Sequence, residues 1–267
     1  MSATGITVDI SDSIATITLN RPKTLNALTS KDYDMLAASL REIDTRDDVL
    51  VTIWQGNWFC AGTDVKSRPT SSVTIAANQD IRQAYLRTVA HTTTDCGQAL
   101  YSHKKILIAA LNGPVMAFLG YFDFIFCMPN VWLAVPFTFL GIVAEGGSSV
   151  SFVNRMGLAK ANEVLLWGKK KGAQELFDCG FINQIFPSQS VKSFHEVVRR
   201  HVLEELRGLD PVALLIVKRL IRAGLNDKND PDAVNLRESY AQAARFASTI
   251  PSQKFAKIAS KEIKHKL

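Results

Sequence analysis

The sequence predicts an α/β fold followed by an all-helical tail, and three observations carry that expectation. Two strands of alternating polarity open the chain at Ile6–Ile10 and Ile14–Leu19. Strand and helix patterns then alternate through the middle, where short apolar runs between turn residues read as buried parallel strands. After Pro187 only the helical period remains.

Taken in order, a Ser-Asp-Ser turn joins the first two strands, and Asn20-Arg-Pro-Lys23 forms a loop. Ser30 caps a helix to about Ile43, and Val49–Trp54 is the next strand, ending in the loop Gln55-Gly-Asn-Trp58. A Ser/Thr-rich loop from Pro69 to Thr74 precedes a helix from about Asp80 to Leu100. Ile106–Leu111 is a buried strand that runs into the turn Asn112-Gly113-Pro114 and a short helix. Further strands are expected near Phe124–Cys127, Val131–Leu133 and Phe181–Ile185. The tail divides into helices near Val191–Leu206, Pro211–Ala223, Asp232–Ala247 and Ser252–Ile263. No internal sequence repeat is present.

With 267 residues, 47% of them hydrophobic, the chain can build a full core as one large domain with an appendage. The net charge of +6, from 31 basic and 25 acidic residues, is spread along the chain and densest at the C-terminus. That balance suits an anionic small ligand better than a nucleic-acid surface, which shows clustered Lys/Arg with aromatics. Cys60, Cys96, Cys127 and Cys179 have no CxxC spacing, so neither disulfides nor structural zinc are expected. The five histidines lie apart and suggest no metal site or triad. The apolar run from Ile106 to Ala144 is broken by Pro114, Asp123, Pro129, Asn130 and Pro136 into pieces too short to span a bilayer. No basic-then-apolar leader opens the chain, so secretion is not expected.

Glu145 is the only acid in the stretch Phe137 to Ser149. A carboxylate in apolar surroundings is costly unless it is paired, metal-bound or used for proton transfer. Gly146, Gly147, Ser148 and Ser149 read as the start of a helix whose N–H groups point back at the acid. Burial raises such a pKa and a helix N-terminus lowers it. An acid held that way suits a general base, and it equally suits a simple helix cap.

Three loops after strands are rich in small residues. The first is Phe59-Cys-Ala-Gly-Thr-Asp-Val-Lys66, where Gly62 permits a tight turn and the Thr63 N–H is a candidate donor. The second is Asn112-Gly113-Pro114, feeding a helix whose first N–H groups are unpaired. The third carries Glu145. Alone, the first two also read as ordinary strand-to-helix turns. Together the loops supply two donors for an oxyanion and one base to move a proton, the parts needed to form an enolate.

In this order the loops resemble those of the crotonase superfamily, the enoyl-CoA hydratase/isomerase group, over most of the chain. Ile14–Leu28 is similar to the family's opening signature, and Phe59–Lys66 to its F-x-A-G-A-D-[IL]-K oxyanion loop. Ala110–Val115 resembles the start of the second oxyanion segment. Leu140-Gly-Ile-Val-Ala-Glu-Gly-Gly-Ser-Ser149 is most similar to the fungal peroxisomal Δ3,Δ2-enoyl-CoA isomerases, in which the glutamate of this segment is the base. Hydratases of the family use two other glutamates, one after the Asn-Gly turn and one after a proline. Here no glutamate lies between Asn112 and Asp123, and Phe137 follows Pro136.

The resemblance implies a spiral of ββα units over residues 1–200 and a helical, oligomerising region over 201–267. It implies an acyl-CoA thioester as ligand and no separate cofactor or metal. Ala61, Gly62, Thr63, Asp64 and Val65 would line the CoA path, with Lys66 towards the phosphates; Lys23 could join it, but reads first as a solvated surface charge, the alternative for Lys66 too. Glu145 would shuttle a proton from C2 to C4 while the Thr63 N–H and a donor near Phe118 hold the dienolate. The other readings are a different crotonase reaction, such as hydration or a fungal secondary-metabolite step, and a weakened relative that only binds CoA esters. The segment Val115 to Asp123 is about one helical turn shorter than the family pattern: Ala117-Phe118 falls at the donor pair if the gap lies later, and the donor residue is missing if the gap lies at Met116. The family is trimeric or hexameric. The ending His265-Lys266-Leu267 resembles a variant peroxisomal import signal, with a cytoplasmic location as the alternative.

Overall fold

The computed structural model describes residues 5–60, 62–64, 80–115 and 117–264. Six strands, β1 (Ile6–Ser11), β2 (Ile14–Leu19), β3 (Val51–Gly56), β4 (Ile106–Leu111), β5 (Phe124–Cys127) and β8 (Gln184–Ile185), form one sheet in the order β1-β2-β3-β4-β5-β8. The β1–β2 pair is an antiparallel hairpin, and every later pair is parallel. Two short strands, β6 (Trp132–Leu133) and β7 (Lys171–Gly172), pair separately.

The continuous apolar run of β4 follows from burial on both faces of the sheet. Leu107, Ala109 and Leu111 point into the larger core beneath α1 (Ser30–Asp44) and α3 (Asp95–Tyr101). Ile106, Ile108 and Ala110 point into a second core closed by Phe194, Val198 and Val202 of α7 (Val191–Glu205). Alternation of side chains along a strand produces this division.

The expected strand at Val49–Trp54 lies two residues later, because Leu50 still donates to the Ser13 carbonyl at the bend before the ladder begins. The strand expected over Phe181–Ile185 shortens to Gln184–Ile185. Phe181 and Ile182 are core side chains, and Asn183 joins β5 through its own N–H and side chain.

The helix expected from Asp80 to Leu100 is three pieces: α2 (Ile81–Ala84), a π-helix over Tyr85–Thr94, and α3. Thr88 and Thr92 hydrogen-bond the carbonyls of Ala84 and Thr88, four residues back in each case. Such bonds compete with the regular ladder, and π-helical turns widen it. The widening carries Thr93 inward, where it is buried.

The remaining helices are α4 (Phe137–Leu140), α5 (Ser148–Leu165), α6 (Ala173–Asp178), α8 (Pro211–Lys228), α9 (Pro231–Phe246) and α10 (Ile250–Ala259), with a 3-10 helix at Ala117–Tyr121. α8 continues past the expected end at Ala223, through Gly224. α9 folds back onto the π-helix. Tyr85 stacks on Tyr240 with ring centroids 4.8 Å apart, and Ala84 and Val89 pack with Ala243 and Phe246. No described helix is long and apolar enough to cross a membrane.

Candidate active site

The loop after β3 is fastened from beneath. Asn26 is buried, and its amide donates to the carbonyls of Asn57 (3.1 Å) and Trp58 (2.6 Å). Leu28 then forms a parallel bridge beside Thr63: its N–H donates to Gly62 O and its carbonyl accepts from Asp64 N, both at 2.8 Å. In such a bridge the central residue's own N–H points to the opposite side. The Thr63 N–H is thereby directed away from Leu28. Gly62 has φ +93°, the left-handed region that favours glycine. Ala61, Val65 and Lys66 lie outside the described residues, as do Met116 and His265–Leu267. Lys23 is an exposed residue of a 3-10 turn.

The second loop is held in the same way. The Asn112 amide donates to Gly56 O at 2.8 Å, and Asn130 donates to Asn112 O at 3.0 Å. The chain then enters the 3-10 helix that bears Phe118, whose side chain is buried.

Tyr33 of α1 connects the first two loops. Its hydroxyl and the Thr63 hydroxyl are 2.8 Å apart, and its ring meets Phe118 edge-on with centroids 6.2 Å apart. Burial, and then the negative charge of Glu145, push the Tyr33 phenol well above its ordinary pKa. It is therefore a neutral O–H at physiological pH. Gly146 closes the cluster: with φ +66° it lies against Phe118, and a side-chain carbon there would come 2.6 Å from the ring. Thr63 and Phe118 thus meet on one tyrosine, whose phenol also senses the Glu145 charge.

Glu145 itself is half-buried. Its Oε2 accepts from the Thr93 hydroxyl at 3.2 Å and from the Gln242 amide at 2.8 Å. The expected helix start after it is present as α5, where two N–H groups turn to another acid. Gly147 N and Ser149 N donate to the Glu238 carboxylate at 2.7 and 2.9 Å, joined by the Ser149 hydroxyl. Glu238 is an interior anion that satisfies the helix end, and that end favours an anion by its dipole. Burial raises the Glu238 carboxyl pKa, the three donors oppose the rise, and the Glu145 charge adds to it.

Sequence reasoning did not find Tyr33, Thr93, Glu238 or Gln242. One signal was available in α9. Asn235, Glu238, Ser239 and Gln242 follow the i, i+3, i+4, i+7 spacing of a single helix face, and all four are buried. A polar face of that kind needs partners inside the protein.

Residues 9–257 match the family model described as enoyl-CoA hydratase/isomerase. A Delta(3,5)-Delta(2,4)-dienoyl-CoA isomerase of Pyricularia oryzae is 37% identical over 277 aligned positions, covering 98% of each chain. A 3,2-trans-enoyl-CoA isomerase of Saccharomyces cerevisiae is 29% identical, covering 94% of this chain and 92% of its own. Among solved structures, an enoyl-CoA hydratase/isomerase of Pseudoalteromonas atlantica superposes with a TM-score of 0.82 at 24% identity, over 99% of this chain and all of the other. That superposition, with the parallel-rich sheet and helical C-terminal region, establishes the crotonase fold. The chain belongs to the enoyl-CoA hydratase/isomerase family.

Proposed function

We propose that the chain is an enoyl-CoA isomerase that moves a double bond from the 3- to the 2-position of an acyl-CoA thioester, with Glu145 as the single acid/base. The observation that carries this reading is the Glu145 carboxylate, held on one oxygen by Thr93 and Gln242. The thioester acidifies C2. Glu145 takes the C2 proton, and the electron pair spreads over C2, C4 and the thioester oxygen as a dienolate. Thr63 N–H and a donor near Phe118 hold that oxyanion, and Glu145 returns the proton to C4. Gly62, Thr63 and Asp64 line the CoA path.

Hydration requires a second group to activate water. No glutamate lies between Asn112 and Asp123, and Phe137, which follows Pro136, is buried. A second isomerase reading is favoured by the Pyricularia relative: the same abstraction at C2 of a 3,5-dienoyl-CoA, with the proton returned at C6. In this proposal residues 1–200 form the catalytic core, and 201–267 also serve assembly as a homotrimer or homohexamer. The proposed location is the peroxisome.

The test is turnover of trans-3-enoyl-CoA and of a 3,5-dienoyl-CoA, followed by ultraviolet absorbance, in wild type and Glu145→Gln. Conversion that falls by about 10²–10⁴-fold in the variant supports Glu145 as the base. The better substrate decides between the two isomerisations. Folded wild-type protein that binds CoA esters and converts neither would sink the reading.

A further inference from the structure

We propose that Gln242 is a positioning residue that sets the Glu145 carboxylate, with Glu238, one helical turn earlier on α9, fixing the loop that carries it. The inference rests on Glu145 being the base and adds how the base is held.

The two side chains fasten the whole turn from Val143 to Ser149. Gln242 accepts from Val143 N at 3.1 Å and donates to Glu145 Oε2 at 2.8 Å. Glu238 takes the N–H groups of Gly147 and Ser149. Residues four apart lie on one helix face, so one rigid element grips the turn on both sides of Glu145.

The Val143 bond also decides which way the amide points. A backbone N–H is only a donor, so the Gln242 atom facing it is the oxygen, and the nitrogen must face Glu145. Gln242 is 1% exposed, which holds that orientation. It therefore offers Glu145 a donor and no acceptor, an arrangement that favours the ionised, proton-accepting form. Thr93 leaves the matter open, because a hydroxyl both donates and accepts.

Glu238 holds the other end of the turn. At the N-terminus of α5, Gly147 N, Ser149 N and the Ser149 hydroxyl go to the Glu238 carboxylate. The buried Gln242 amide, from the same helix, donates to Glu145 itself. A helix cap that merely stabilised the fold would require Glu238 alone.

The experiment compares kcat/KM against pH for wild type, Gln242→Leu, Gln242→Glu and Glu238→Gln, all as the full chain. Gln242→Leu moves the acid limb up by about one pH unit, the loss of one hydrogen bond to a charged group, and activity returns at higher pH. Gln242→Glu keeps the size and the acceptor for Val143 N, and moves the limb further by placing a like charge beside Glu145. Glu238→Gln removes a neighbouring negative charge and moves it down. A limb that stays in place while the rate falls equally at every pH would mean that Gln242 only packs, and the proposal fails.

Titration of the Glu145 carboxyl by ¹³C NMR, assigned with Glu145→Gln, gives the same comparison without turnover. A wild type that does not isomerise but shows the displaced titration in the variants would sink the isomerase reading and keep the positioning role. Isomerisation with an undisplaced titration would do the reverse.

Discussion

At the scale of single residues, Glu145 was legible because one acid in a long apolar stretch requires an explanation. Its partners were not legible, because they lie 52 and 97 residues away in the chain and reach it only through the tertiary fold. Tyr33 was hidden for another reason: it occupies a core position of an amphipathic helix, and its ring satisfies the hydrophobic pattern whatever its hydroxyl does. That hydroxyl has a definite role, since it joins α1 to the Thr63 side chain beside the loop's outward N–H. Tyr33→Phe keeps the ring against Phe118 and removes the bond. It is expected to lower stability by about 1 kcal/mol, as for a typical hydrogen bond between neutral groups. KM for the CoA ester should rise as the Thr63 loop loosens. Urea unfolding and steady-state kinetics on one preparation check both, and a variant unchanged in both would show that the bond is idle.

At the scale of elements, the strands followed from apolar periodicity, and their displaced ends reflect where ladder bonds begin. The π-helix could not be read that way, because threonine back-bonding leaves no mark on the hydrophobic period. The turn into α5 was recognised as a helix start, yet its anion is supplied by a different helix. The two glycines there have φ +66° and +71°, and a Cβ on Gly147 would collide with the Tyr121 hydroxyl. Gly147→Ala is therefore expected to cost about 2 kcal/mol or more from the left-handed backbone and the clash, and to reduce turnover by displacing Glu145. Differential unfolding of this variant against Gly224→Ala, at an open helix position, separates the local conflict from a general effect. α7 carries a second testable feature. Burial lowers His195 from 6.5 to about 4. Between those values the unfolded chain binds more protons than the folded one, so the contribution is full above pH 6.5 and is lost as pH falls towards 4. His195→Gln should flatten stability against pH across that window, measured by thermal unfolding. An unchanged slope would place the acid sensitivity elsewhere.

At the scale of the whole molecule, buried parallel strands were expected from the short apolar runs between turn residues, but the path of the tail was not. The helical period shows that α8 and α9 are helices and leaves open what their faces meet. α9 closes onto its own chain through Glu238 and Gln242, while α8 leaves apolar residues in solvent. Val212 is 65% exposed, Leu220 65%, Ile221 58% and Val217 52%. Apolar groups gathered on one helix in this way mark an interaction surface, and a second copy of the chain is the occupant that the proposed trimer or hexamer provides. The two helices would then divide the work of the C-terminal region, α9 completing the site from within and α8 joining subunits from without. Leu220→Asp places a charge on the exposed face and touches none of the bonds around Glu145. It is expected to shift the sedimentation profile from oligomer to monomer with little loss of secondary structure. Turnover per chain should survive dissociation, since Glu145, Gln242, Thr93 and Tyr33 all come from one chain. A wild type that sediments as a monomer, or an oligomer indifferent to the substitution, would remove α8 from the assembly. Activity lost with the oligomer would mean that a neighbouring copy completes the site.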